Sequence, residues 1–162
     1  MEKRIHPPPA GWQFETFEVL PGLFLSKKLV DPHDFASLGV DAIVALEHWE
    51  YTWSPPVPDN HLYVHFPIDD GDTVDPKTRE VARLVAGLVQ SGHRVLVHCV
   101  QGLNRSGMVI ARALMFMGHD VEESIELVRR SRGLDDEFGA LGNPSLVEWL
   151  VSEGSGRDPS TS

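Results

Sequence analysis

Arg94-Val95-Leu96-Val97-His98-Cys99-Val100-Gln101-Gly102-Leu103-Asn104-Arg105-Ser106-Gly107 is the stretch from which the fold can be read. It opens on a short β-branched apolar run, the mark of a buried strand. From Gly107 to Met117 the period changes: Val109, Ile110, Ala113, Leu114 and Met117 fall on one helical face, and Gly118 stops it. Between strand and helix lies a loop holding Cys99, Gly102, Arg105 and Ser106. A strand that feeds a helix through a short loop is the repeating unit of an α/β sheet.

The same alternation continues outward. Gly22 to Ser26 reads as a strand after the turn-forming Pro21-Gly22, and Asp41 to Leu46 as a strand buried on both faces. His61 to Phe66 is a further strand. Asp31 caps a short helix over Pro32 to Leu38. Asp75-Pro76 opens a longer one, with Val81, Leu84, Val85, Leu88 and Val89 on a single face and Ser91-Gly92 at its end. Asp120-Val121-Glu122-Glu123 is a capping-box pattern, and Pro144 to Val151 forms a last helix. The expected fold is α/β: a central, mostly parallel sheet of 4–5 strands flanked by helices.

The 162 residues suit one domain, placed at 1–152 with a proline-containing N-terminal arm (Pro7-Pro8-Pro9) and a polar tail over 153–162. Fourteen Lys and Arg against 24 Asp and Glu leave a net charge of −10, which disfavours nucleic acid and anionic membranes as partners. There is no signal-peptide core and no span of about 20 apolar residues. A single cysteine forms no internal disulfide and fits a reducing compartment, so a cytoplasmic location is expected.

The loop offers one kind of chemistry. A helix N-terminus presents unpaired N–H groups and positive dipole charge, an anion site. Gly102 lets successive N–H groups of Val100, Gln101, Leu103 and Asn104 turn inward as a nest. Arg105 can fork onto two oxygens of one phosphoryl group. The same field favours a thiolate at Cys99, since helix N-termini and cations lower cysteine pKa from ~8.5 to roughly 3.5–7.5. Anion binding and a nucleophile thus share one structure. Ser106 can donate a hydrogen bond to the thiolate, and His98 orients the loop. A free cysteine is usually a small buried hydrophobe. With average residue usage, however, His-Cys-x-x-Gly-x-x-Arg-Ser arises by chance in roughly one chain in ten thousand of this size.

His98, Cys99, Gly102, Arg105 and Ser106 resemble the signature of the protein tyrosine phosphatase superfamily, and Asn104-Arg105-Ser106-Gly107 with the chain length is similar to its compact dual-specificity branch, bacterial members in particular. The resemblance spans roughly Leu20 to Val151. It implies a cysteinyl-phosphate intermediate and neither metal nor organic cofactor. It also implies a general acid from an upstream loop, here Phe66-Pro67-Ile68-Asp69-Asp70-Gly71-Asp72. The spacing of Pro67 and Ile68 selects Asp70, with Asp72 and Asp69 as alternatives. An acidic turn would need no function at all.

Other features are weaker. Asn143 reads first as the N-cap of the helix at Pro144, with bracing of the loop or positioning of a water as its second role. Trp49, Tyr51 and Trp53 form either a recognition wall or a loop cover. His61 and His65 share a strand face, and no histidine spacing calls for a metal. Arg129, Arg130 and Arg132 complement a helix end before they suggest a phosphopeptide patch.

The substrate expected is a phosphorylated protein, phosphotyrosine first and phosphoserine or phosphothreonine next, or a small phosphomonoester. Members of the superfamily that act on phosphoinositides often carry Lys or Arg in this loop; Val100, Gln101, Leu103 and Asn104 include none, which with the acidic net charge argues against a polyphosphorylated lipid headgroup. Leu103-Asn104-Arg105 also resembles the loop of metal-independent RNA 5′-triphosphatases in the same superfamily, and a phosphate-dependent binding module without turnover is a further alternative.

Overall fold

A computed structural model describes residues 5–6, 16–27, 39–48, 57–133 and 139–155. Six strands form one sheet: β1 (Ile5–His6), β2 (Thr16–Leu20), β3 (Leu23–Ser26), β4 (Ala42–Ala45), β5 (Leu62–His65) and β6 (Val95–His98). Their spatial order is β1-β2-β3-β6-β4-β5. The β3–β6, β4–β6 and β4–β5 pairings are parallel, and the β1–β2 and β2–β3 pairings antiparallel. The mostly parallel sheet of 4–5 strands is therefore present as five strands, extended at one edge by the two-residue β1.

β6 is the inner strand of the parallel set, with Val95 in register with both Leu23 and Ala42. All four of its residues are buried. Continuous burial is what its unbroken apolar run predicts for a strand covered on both faces. β2 was not expected as a strand. It alternates buried Phe17 and Val19 with half-buried neighbours, and returns antiparallel to β3 through Pro21-Gly22, where Gly22 takes φ +86°.

Four helices complete the fold: α1 (Lys77–Gln90), α2 (Arg105–Phe116), α3 (Val121–Arg132) and α4 (Pro144–Ser155). α2 is the central one. Every residue from Ser106 to Leu114 is buried, wider than the single face read from periodicity, because α1, α3 and α4 all pack around it. Met117 is half-buried at the end of α2, and Gly118 at φ +103° turns the chain out of the helix.

α1 packs most of its expected face on the core, Val85 buried and Val81, Leu88 and Val89 half-buried against it, but not Leu84. Its buried residues are Thr78, Ala82, Val85 and Ala86, while Leu84 is 39% exposed. The contact arc is centred on the alanines, whose small side chains let α1 approach α2 closely, so Leu84 is rotated to the rim. Asp75 does start this helix: its Oδ1 accepts from the Lys77 N–H at 2.8 Å, a bond that holds the carboxylate below its ordinary value. Asp120 caps α3, accepting from the Glu123 N–H at 2.8 Å, and Gly133 closes it in the left-handed region.

Residues 153–155, expected in the tail, belong to α4. α4 continues to Ser155 because Glu153 is gripped by Arg79 of α1 (2.6 and 2.7 Å) and Arg112 of α2 (3.2 Å). The expected helix over 32–38, the Pro7-Pro8-Pro9 arm, the Trp49, Tyr51 and Trp53 loop and residues 156–162 lie outside the described residues. Among the described residues no helix is long and apolar enough to cross a membrane.

Candidate active site

The site forms where β6 ends and α2 begins, at the carboxyl edge of the parallel strands, the usual place for a ligand in such sheets. Cys99 is the first residue beyond β6. It is 2% exposed and forms the floor of a loop running through Val100, Gln101, Gly102, Leu103 and Asn104 to Arg105. Cys99 Sγ lies 3.3 Å from Ser106 Oγ in the first turn of α2, the contact expected of that pair.

Gly102 is required for two reasons. It sits at φ +66°, and a Cβ there would come within 2.6 Å of Ser26 O at the end of β3. The loop is thus pressed against the neighbouring strand with no room for a side chain. Its other end is fastened by Leu141, whose N–H donates to Leu103 O at 3.1 Å. Arg129 in turn donates to the carbonyls of Ala140 (3.2 Å) and Leu141 (3.1 Å). Arg130 pairs with Glu126, and the Arg132 guanidinium lies 4.1 Å over the Phe17 ring. All three arginines make contacts within the fold around α3, and none of these contacts is with the carbonyls at its end.

Asn104 stands at the N-cap of α2 but makes no side-chain cap. Its amide is spent elsewhere: Nδ2 donates to Asp70 Oδ2 at 2.8 Å, and Oδ1 accepts from the Asn143 N–H at 3.2 Å. The first-turn N–H groups of α2 are left without a side-chain acceptor, which keeps the anion-binding capacity of the helix end. Arg105 donates from Nη1 to Ile68 O at 3.1 Å, while its buried Nε has no hydrogen-bond partner among the described residues. A buried unpaired donor at the mouth of such a loop is a group equipped to meet an anion.

The three aspartates of the upstream loop are separated by their partners. Asp70 is drawn to the phosphate loop: besides Asn104, Asn143 Nδ2 donates to its Oδ1 at 2.7 Å. Asn143 also donates to Gly71 O at 2.9 Å, and its Oδ1 accepts from the Ser145 N–H at 3.0 Å. It therefore does both things weighed from sequence, capping α4 and bracing the site. Asp69 turns the other way, to His48 Nε2 at 2.8 Å. Asp72 is exposed.

His98 is 1% exposed, and its Nδ1 lies 3.0 Å from Oε1 of Glu47, itself fully buried. Glu47 was not singled out from sequence. A glutamate closing an apolar strand run was the available signal. His65, on β5, is committed to Glu47 O at 2.6 Å through Nε2. Among the described residues no group of three His, Cys, Asp or Glu could hold a metal ion.

Comparison with known proteins agrees with this geometry. The family model for the dual specificity phosphatase catalytic domain matches residues 24–143. Human protein tyrosine phosphatase type IVA 3 is 30% identical over 117 residues, 70% of this chain and 65% of that protein. Dual specificity protein phosphatase 1B of Arabidopsis thaliana is 33% identical over 100 residues, 60% of this chain and 57% of that protein. The chain thus spans less than two thirds of the length of either relative. The crystal structure of human DUSP28 superposes with a TM-score of 0.72 at 21% identity, covering 94% of this chain and 97% of that one, a likeness of fold.

Proposed function

From its membership of the dual specificity phosphatase catalytic-domain family, to which this chain belongs, we propose that it is a cysteine-dependent phosphatase that hydrolyses phosphomonoesters without a metal. Protein phosphotyrosine is its first substrate, and phosphoserine and phosphothreonine follow. The observation that carries this reading is the placement of Cys99 beneath the α2 N-terminus, 3.3 Å from Ser106, with Asp70 fastened to the same loop by Asn104 and Asn143.

The chemistry follows from the positions. The phosphoryl oxygens are held by the loop N–H groups from Val100 to Arg105 and by the Arg105 guanidinium. The Cys99 thiolate attacks phosphorus as the bond to the ester oxygen breaks. Protonated Asp70 gives its proton to the departing oxygen, and the alcohol or phenol leaves. Asp70, now a carboxylate, takes a proton from water as the water oxygen attacks the cysteinyl phosphate. Inorganic phosphate is released, and Ser106 steadies the returning thiolate.

Hydrolysis of p-nitrophenyl phosphate in EDTA tests this directly. The expected result is turnover by the wild type, none by Cys99→Ser or Arg105→Lys, and a loss of about 10²-fold or more for Asp70→Asn, at the lower end of general-acid contributions. Near-wild-type turnover by Cys99→Ser would overturn the mechanism. A preserved Asp70→Asn would move the acid to Asp72 or Asp69. A wild type that binds phosphotyrosine peptides but releases no phosphate is the binding module instead.

A further inference from the structure

Glu47 is a fully buried acid that the chemistry above does not use. Buried carboxylates are rare unless they are engaged. Its position is informative. Leu46 and Cys99 belong to the large apolar cluster between the sheet and α1 and α2. Leu96, two residues before His98, belongs to the smaller cluster with Phe24, Val40 and Ile43. By strand alternation His98 faces that second side. Glu47 Oε1 meets His98 Nδ1 there at 3.0 Å, an ion-pair contact and not an aligned hydrogen bond, behind the nucleophile.

The backbone around the pair is continuous with both halves of the site. Leu46 N–H donates to His98 O at 3.0 Å, and Ile68 N–H donates to Leu46 O at 3.1 Å. His65 of β5 holds Glu47 O, and His48, the next residue, holds Asp69 beside Asp70. One dipeptide at the exit of β4 therefore touches the residue that precedes Cys99 and the residue that precedes Asp70.

We infer that Glu47 is a positioning residue for Cys99: from the far face of the sheet it fixes His98, and with His48 it ties the nucleophile's strand to the acid loop. It never meets substrate. It acts by holding the His98 ring in one orientation, so that the peptide leaving β6 enters the phosphate loop with the sulfur under the α2 N-terminus. Among the described residues, His98 from the β6 exit meets its carboxylate and His65 from β5 holds its backbone carbonyl, with the His48–Asp69 contact next along the chain. Small displacements of a nucleophile are costly to turnover, which is why a residue so placed matters.

The inference rests on the phosphatase reading, and its test is a double-mutant cycle with two readouts, p-nitrophenyl phosphate kinetics and the rate of Cys99 alkylation by iodoacetamide. Glu47→Leu is expected to lower kcat about tenfold or more with a smaller change in KM, and to slow alkylation, at a temperature well below its melting point. Glu47→Gln, which still reaches the ring with a hydrogen-bonding group, should recover most of the loss. In a His98→Asn background Glu47→Leu should add less than about twofold, because its effect passes through His98. Wild-type kcat in Glu47→Leu, or effects that multiply independently, would overturn the inference. Should Glu47→Leu fail to fold, Glu47→Asp carries the same cycle, since it keeps the charge but withdraws the carboxylate by one methylene. If the wild type hydrolyses nothing, the phosphatase reading falls, and the alkylation cycle still decides the role of Glu47.

Discussion

Asn143 joins three parts of the molecule with one side chain. Its Oδ1 starts α4, while its Nδ2 holds Asp70 and the Gly71 carbonyl. Removing it has two separable consequences. Loss of the cap costs about 1 kcal/mol of stability, as for other Asn caps. Loss of the bond to Asp70 frees the acid to turn toward solvent, leaving Asn104 as its one partner among the described residues. Asn143→Ala is therefore expected to lower kcat about tenfold for an ester with a poor leaving group, and less for p-nitrophenyl phosphate, whose better leaving group depends less on the proton. Equal losses on both esters would show that Asn143 does not act through Asp70. Sequence alone carried the cap of this residue and bracing only as a second role, without its partner Asp70. Asn before Pro announces a helix start through local geometry, whereas its contact with Asp70 spans 73 positions and depends on how the loops are packed. The same limit hid Glu47: its chemistry is local, but its partner arrives from another strand.

At the scale of elements, the end of α4 is held by charge. Glu153 meets Arg79 with both oxygens and Arg112 with one, and its side chain is 12% exposed. The Arg79 hydrogen bonds, aided by Arg112, hold its carboxyl below the ordinary glutamate value of 4.5 against the opposing effect of burial. A carboxyl whose folded pKa is lowered stabilises the fold fully above its unfolded pKa, and the contribution disappears as pH falls through the folded value. Glu153→Ala should thus cost about 1.5–3 kcal/mol at neutral pH, the range for hydrogen bonds to charged groups. Chemical denaturation should show the gap between variant and wild type closing below pH 4.5. A gap independent of pH would mean that packing, not charge, secures the helix end. The polar run from residue 152 concealed this helix end, because Glu-Gly-Ser composition reads as tail and the arginines that convert it lie in α1 and α2. Elements defined by their own residues were legible: the β6 run, the Asp75 and Asp120 caps and the Gly118 stop. β2, five residues long, has too short an alternation to announce itself without β3 beside it. On α1 Val81, Val85, Leu88 and Val89 pack on the core as the period predicts, but Leu84 is turned out and Ala82 and Ala86 are buried, since alanines mark a close contact less visibly than leucines.

For the whole molecule, the net charge of −10 is a count, and its consequence depends on where the charge lies. Asp69, Asp70, Asp72 and Asp75 are all exposed on the segment that borders the phosphate loop, and Asp69 carries 85% of its side-chain surface in solvent. Inside the loop the field is reversed by Arg105 and the α2 N-terminus. A phosphate therefore enters a small positive site through an acidic surround. The phosphoryl group itself is accepted, while its neighbours in the substrate meet negative charge. On the proposed function, a phosphotyrosine peptide flanked by Lys or Arg should show a several-fold higher kcat/KM at low salt than one flanked by Asp or Glu, through attraction at encounter. Because these charges are exposed, the preference should shrink as the screening length falls from about 30 Å at 0.01 M to about 3 Å at 1 M salt. The two peptides should then approach a common value set by the loop itself. Steady-state kinetics of the pair across that salt range checks the argument. A preference for the acidic peptide, or one that salt leaves untouched, would mean that recognition rests on direct contacts and not on the field of the surrounding aspartates.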